Sequence, residues 1–92
     1  MDLRSAPHGL NIVVECEDAR GRRLVIGRFD STNAFQALLH DCDVHALASG
    51  EDAESYVRQT ATYGVAVNTK DAHVDLLSVK RVRLLGEIEK LH

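Results

Sequence analysis

Residues 10–29 constrain the fold of this chain more than any other stretch. In "LNIVVECEDARGRRLVIGRF", apolar and polar side chains alternate on both sides of the turn-like segment "DARG". An alternation with period two is typical of a strand that buries one face, and two such runs joined by a short Gly-containing turn predict an antiparallel hairpin. A hairpin alone is not stable in water, so other elements must cover its apolar face. The expected cross-strand pairs are Glu17 with Arg22, Val14 with Val25 and Leu10 with Phe29.

Residues 30–50, "DSTNAFQALLHDCDVHALASG", predict a helix that supplies this cover. The stretch begins with residues that are favoured as N-caps, Asp30 among them, and it ends at Gly50, which suits a helix C-terminus. Between these two ends the apolar residues recur at steps of three and four, as they do on one face of a helix. These residues are Phe35, Leu38, Leu39, Cys42 and Ala46.

Residues 49–64 predict a second helix. Ser49 and Asp52 have the spacing of a capping box, although aspartate replaces the usual glutamate, and Gly64 closes the pattern. Between them Tyr56 and Val57 belong to an apolar stripe at helical spacing. A helix here would pack beside the first one on the hairpin.

The C-terminal third is read as a strand over residues 74–84 that pairs with residues 64–68, followed by a short helix from Gly86. A helix over residues 72–85 is the alternative, since periodicity alone does not assign short apolar runs. With the first reading, the chain is an α+β protein. Its expected architecture is an antiparallel sheet of about four strands with helices packed on one face, in the order β-β-α-α-β-β, plus a short C-terminal helix.

Length and composition predict a single domain over residues 1–92, with residues 1–9 as a flexible N-terminal lead. The chain has no apolar run near the roughly 20 residues of a membrane-spanning helix, and its N-terminus has no apolar core of a secretory signal. Two cysteines are too few for a disulfide scaffold, so we expect buried free thiols and a cytoplasmic location. A net charge of −3 argues against a general nucleic-acid binder.

The segment "HDCDVH", residues 40–45, contains two histidines, two aspartates and a cysteine, residue types that can bind metals or take part in catalysis. His40, Cys42 and His45 are residue types that bind zinc, which prefers four ligands in a tetrahedron. On a helix, however, His40 and His45 would point about 140° apart. We therefore expect a polar helix face with an Asp41–His45 ion pair, and we keep a weak metal-binding domain as the alternative hypothesis.

Basic residues form two groups, one on the predicted hairpin and one near the C-terminus. If strand pairing brings the groups together, they could contact phosphate, which gives a second alternative: a nucleic-acid accessory protein. The simpler interpretation is a sheet face whose charges are paired. The residues concerned are Arg22, Arg23, Lys80, Arg81 and Arg83.

No nucleophile elbow, glycine-rich phosphate loop or dinucleotide fingerprint occurs in the sequence, so we name no catalytic residue and no cofactor. The sequence favours a non-catalytic binding or regulatory module over an enzyme. We expect it to act as a homodimer, with an unidentified protein as a further partner. The reason is that Val13, Val25 and Ile26 cannot all face the helices, which leaves apolar surface for a second copy.

Overall fold

The computed structural model describes residues 1–91, which form a five-stranded antiparallel sheet and one α-helix. The strands occur in the spatial order β4-β3-β2-β1-β5, so the last strand returns beside the first, and β4 and β5 are the two edges. Short 3₁₀-helices at Leu3–Ser5, Leu76–Ser78 and Leu85–Glu87 complete the chain. The main elements are β1 (Asn11–Asp18), β2 (Gly21–Thr32), β3 (Gln36–Ala46), α1 (Ala53–Tyr63), β4 (Thr69–Asp75) and β5 (Val79–Leu84).

The predicted hairpin is confirmed as β1 and β2, in the predicted register. Val14 lies opposite Val25 and Glu17 lies opposite Arg22. At the open end of the hairpin, the backbone N–H of Phe29 donates to the carbonyl of Leu10 at 2.9 Å. The turn needs Gly21, whose φ of +114° lies in a region that side chains disfavour.

The helix predicted over residues 30–50 is wrong, because residues 36–46 form β3, antiparallel to β2. A bulge explains the misleading pattern. Ile26 pairs with Asp43 and Arg28 with His40, so β3 contains one residue more than β2 between these pairs. The extra residue, Asp41, takes a φ of +51°. The buried side chains Leu39 and Cys42 are therefore three residues apart, a step that also fits a helix. Phe35 and Ala46, at the two ends of the predicted stripe, are exposed.

The second predicted helix is present as α1, although its cap is Asp52 and not Ser49. The Asp52 carboxylate accepts hydrogen bonds from the backbone N–H groups of Glu54 at 3.0 Å and Ser55 at 3.4 Å. At the other end, the N–H of Gly64 donates to the carbonyl of Thr60 at 2.8 Å. Helix α1 is eleven residues long, and no helix within residues 1–91 has the length and apolar character to cross a membrane.

The strand predicted over residues 74–84 is two strands separated by the 3₁₀-helix Leu76–Ser78. The Asp75 carboxylate accepts from the N–H of Leu77 at 2.9 Å, which turns the chain. Residues 64–68 are not a strand: β4 pairs with β3, and β5 pairs with β1. One 3₁₀ turn stands where a short helix from Gly86 was expected. A four-stranded sheet with two helices on one face is therefore wrong, since the described chain is mostly sheet with one α-helix.

Each face of the sheet carries an apolar cluster that is buried within the same chain. On one face, Val57 of α1 packs against Val13, Leu24 and Ile26. On the other face, side chains from all five strands and Leu3 share one cluster, so the sheet is coiled around them. Each fully buried Val, Leu or Ile side chain contributes roughly 1.5–3 kcal/mol. The members of the larger cluster are Leu3, Ile12, Val14, Cys16, Val25, Phe29, Ala37, Leu39, Cys42, Ala72, Val74 and Val82.

The sequence argument for a dimer is that some apolar residues of the sheet are left uncovered, and this burial covers them. Val13 and Ile26 lie on the helix side and Val25 lies on the coiled side, and all three are buried without a second copy. Leu3 belongs to the coiled-side cluster, which holds part of residues 1–9 against the sheet. The mobility of those residues stays a prediction, as does the homodimer.

Candidate binding surface

His40 lies at the centre of a polar row that crosses three strands. Its neighbours across the sheet are Arg28 on β2 and Asp71 on β4. The His40 Nε2 atom lies 2.6 Å from Asp30 Oδ2, and Nδ1 lies 2.7 Å from Asp71 Oδ1. Both ring nitrogens can donate at once only when the imidazole is charged. The hydrogen bond to Asp30, followed by the one to Asp71, raises the pKa of His40 above its ordinary value.

The charges of this row are paired with one another. Arg28 Nη1 lies 2.8 Å from Asp41 Oδ2, on the residue that forms the bulge. The hydrogen bond from His40 holds the pKa of Asp30 below its usual range. The row thus ties edge strand β4 to β3 and β2 by ionic hydrogen bonds.

His45 lies on the same strand but in a separate polar network. Its Nε2 atom is 2.6 Å from Glu51 Oε2, and its ring stacks on Tyr56 with centroids 3.8 Å apart. The Tyr56 hydroxyl donates to Asp43 Oδ2 at 2.5 Å, and burial, together with this hydrogen bond, raises the pKa of Tyr56 to about 12. Asn68 Nδ2 donates to the other oxygen of the buried Asp43 at 3.2 Å. The network anchors α1 to the sheet.

The structure does not bring the predicted metal ligands together. Cys42 is buried in the coiled-side cluster, while His40 and His45 belong to the two polar networks just described. Burial raises the pKa of Cys42 to about 11, which opposes the thiolate form that metals bind. Within residues 1–91 no group of three or more His, Cys, Asp or Glu side chains is placed to hold a metal ion.

The predicted basic residues do come to neighbouring positions, on β2 and β5 with β1 between them. Acidic residues of β1 lie among them, and Glu15 is 3.9 Å from the guanidinium groups of both Arg81 and Arg83. Arg83 also contacts Glu54 at 2.9 Å. The other two arginines are engaged as well: Arg23 with Asp18 at 2.9 Å, and Arg22 with the Glu51 carbonyl at 3.2 Å. Carboxylates interleaved with these cations weaken their attraction for phosphate.

The most exposed large apolar side chains of the sheet lie at one end, on two adjoining turns. Leu77 is 91% exposed and Phe35 is 77% exposed. Phe35 lies in the β2–β3 turn and Leu77 in the 3₁₀-helix after β4, and the N–H of Leu76 joins the turns by donating to the Phe35 carbonyl at 2.9 Å. We call Phe35 and Leu77 the apolar end.

Side-chain hydrogen bonds fix both turns. The Asn33 Oδ1 atom accepts from the N–H groups of Phe35 and Gln36, both at 2.8 Å. Asp75 accepts from the N–H of Leu77 at 2.9 Å. The apolar end is therefore displayed on a rigid backbone, which lowers the entropy lost on binding.

The outer edge of β4 lies beside the apolar end. In the described sheet β4 pairs only with β3, so its other side presents unpaired backbone groups. Four of its side chains are exposed and charged or ionisable: Lys70, Asp71, His73 and Asp75.

Sequence reasoning missed the apolar end. The predicted helix places Phe35 on its buried face, whereas Phe35 lies in the β2–β3 turn and is exposed. The available signal was "STN", a set of turn-forming residues placed between two apolar runs. For Leu77 the signal was Asp75, an aspartate two residues earlier whose side chain can cap a turn.

No family model, curated protein or solved structure matches this chain, so what it binds must be inferred from its own surface.

Proposed function

We propose that this protein is a non-catalytic binding module that acts as a homodimer in the cytoplasm. The two copies contact each other through the apolar end. The observation that carries the proposal is the exposure of Phe35 and Leu77 on two rigid, joined turns. Apolar side chains displayed together outside the core are typical of protein contact sites.

The state of the nucleophilic and basic side chains supports a non-catalytic role. Burial raises the pKa values of both Cys16 and Cys42, which disfavours the reactive thiolate. Both ring nitrogens of His40 are held by carboxylates, so neither is free to accept a proton from a substrate. His45 is engaged by Glu51 and covered on one face by Tyr56.

The thiols also support the proposed location. Cys16 and Cys42 are both free and buried. Free cysteines are the usual state in the reducing cytoplasm, whereas oxidising compartments favour disulfides.

Sedimentation equilibrium of the whole chain tests the proposal. We expect the wild type to be a dimer at micromolar concentration, and we expect the double variant Phe35→Ser, Leu77→Ser to dissociate. The matched control is Tyr63→Ser, because Tyr63 is 80% exposed but lies at the end of α1. A wild type that stays monomeric up to about 100 µM contradicts the homodimer. Equal effects of the double variant and the control contradict the apolar end as its contact.

A further inference from the structure

We propose that two copies of this chain join edge to edge through β4, running antiparallel, with Asp71 of each copy opposite His73 of the other. This inference rests on the proposed homodimer and specifies its geometry. It rests on the charge pattern of β4, on the position of exposed apolar residues at its two ends, and on the symmetry that a dimer imposes.

The edge of β4 is the more open of the two sheet edges. Its backbone pairs with β3 on one side only, from Thr69 to Asp75. At the other edge, the terminal amino group of Met1 lies 3.5 Å from the Val82 carbonyl of β5. An unpaired strand is a template for another strand, and two copies of the same edge can satisfy each other.

Symmetry leaves few registers for such a pair. A twofold axis perpendicular to the sheet keeps every side chain on its own face, and paired residues must share a face. The axis must therefore pass midway between one residue and the copy of the same residue on the partner strand. Three residues near the middle of β4 meet this condition: Asp71, Ala72 and His73.

Charge selects among these three registers. An axis at Asp71 places two carboxylates directly opposite each other. An axis at His73 places Asp71 opposite Asp75, twice in the symmetric pair. An axis at Ala72 places Asp71 opposite His73, also twice. Like charges directly opposite destabilise a sheet and complementary pairs stabilise it, so the register at Ala72 is favoured.

Asp71 can contact a second imidazole while it holds the first. Its Oδ1 atom accepts from His40 at 2.7 Å, and its side chain is 51% exposed. Within residues 1–91, no hydrogen bond or ion pair engages the side chain of His73, which is exposed. In the dimer each Asp71 would bridge His40 of its own copy and His73 of the partner subunit.

Antiparallel pairing also brings exposed apolar residues of the two copies to the same ends of the paired strands. Val67 lies just before β4 and is 55% exposed, and Leu77 lies just after it and is 91% exposed. Because the two strands run in opposite directions, Val67 of one copy lies at the same end of the pair as Leu77 of the partner subunit. The pairing thus places the more exposed member of the apolar end beside the second copy.

Charged side chains on an edge strand can also prevent two sheet edges from pairing, and the experiment distinguishes this protective role from a role in the dimer contact. Sedimentation equilibrium compares His73→Glu with His73→Lys at a position that makes no core contact. Pairing across β4 predicts that the glutamate variant raises the dimer dissociation constant by roughly tenfold, because both symmetric pairs become repulsive. The lysine variant should match or exceed the wild type in dimer affinity. Circular dichroism of both variants verifies that the fold is retained.

Val67→Ser supplies a second measurement that does not depend on charge. It should weaken the dimer, whereas Tyr63→Ser should not. If the wild type is a dimer and the two His73 variants behave alike, the β4 geometry is wrong and the homodimer stands. A monomeric wild type contradicts both the homodimer and the β4 geometry, and in that case the charges of β4 prevent its edge from pairing.

Discussion

Strand β2 belongs to two hairpins that differ sharply in regularity. Its pairing with β1 runs from Asn11–Arg28 to Asp18–Gly21 without an interruption. Its pairing with β3 is interrupted twice, between Ile26 and Arg28 and again between Phe29 and Ser31. The regular hairpin contributes buried apolar side chains to both cores, whereas the polar row lies along the interrupted one.

The bulges explain where the polar row comes from. Asp30 is the extra residue of β2 at one interruption, and Asp41 is an extra residue of β3 at the other. A bulge bends a strand and redirects the side chains beside it. Here the redirected carboxylates meet the two basic side chains of the row, Asp30 at His40 and Asp41 at Arg28. Irregular pairing thus concentrates charge that a regular ladder would spread over both faces.

The largest effect is expected from Gly27→Ala, which adds one carbon at the bulge. A Cβ atom at Gly27 would lie 2.5 Å from Cys42 Sγ and 2.9 Å from the His40 carbonyl oxygen. Overpacking of this kind lowers the free energy of unfolding by about 1–3 kcal/mol, which urea denaturation measures. The control is Gly86→Ala, since a Cβ there meets no atom within 4 Å.

A double-mutant cycle sharpens this result. Cys42→Ala removes the sulfur that a Cβ at position 27 would strike, but it leaves the His40 carbonyl in place. The double variant should therefore be more stable than the sum of the two single effects predicts. Strictly additive losses would show that the contact with Cys42 Sγ is not what excludes a side chain at position 27, which leaves the backbone of β3 as the obstacle.

The same contrast shows how much of the fold the sequence predicts. In the regular hairpin the alternation of side chains is unbroken, so both strands and their register are predicted correctly from period two. Helix α1 is predicted from its stripe and its closing glycine. Strand β3 is not, because the residue added at Asp41 makes the step from Leu39 to Cys42 three instead of two, which fits a helical stripe. Phe35 and Ala46 complete that stripe in the sequence, and only the structure shows that both are exposed.

The candidate surface is predictable only in part. His40 and His45 stand out in the sequence as chemically capable residues, but their partners do not. Asp71 is 31 residues from His40 in the chain, and only the pairing of β4 with β3 brings them together. Phe35 looks like a core residue in sequence because it is apolar, and its exposure follows from the turn that Asn33 fixes.

A smaller effect distinguishes the contribution of the backbone conformation at Asp41 from the contribution of its charge. Asp41→Ala and Asp41→Gly both remove the contact with Arg28, so the difference between them reports the φ of +51°, less the entropy that glycine adds to the unfolded chain. Alanine resists that conformation and glycine does not, so the alanine variant should be less stable by about 1 kcal/mol. Urea midpoints of the two variants measure the difference. Equal midpoints would mean that the bulge relaxes when the aspartate is removed.

The smallest effect is the pH dependence that His40 gives to stability. Because its pKa is raised from 6.5, the folded protein binds this proton more tightly than the unfolded chain does. The stabilisation is therefore complete below the unfolded pKa and is lost as pH rises through the folded pKa. Water and salt screen these exposed groups, so the contribution is modest and should shrink further at high ionic strength.

The variant His40→Gln isolates this contribution, since glutamine keeps hydrogen-bonding capacity but carries no charge. Urea midpoints of the wild type and the variant are compared from about pH 5 to about pH 9, a range that spans the ordinary pKa of a histidine. The wild-type advantage should be greatest at the acidic end and should diminish as pH rises. An advantage that is constant or grows with pH would mean that His40 joins the strands as a neutral ring.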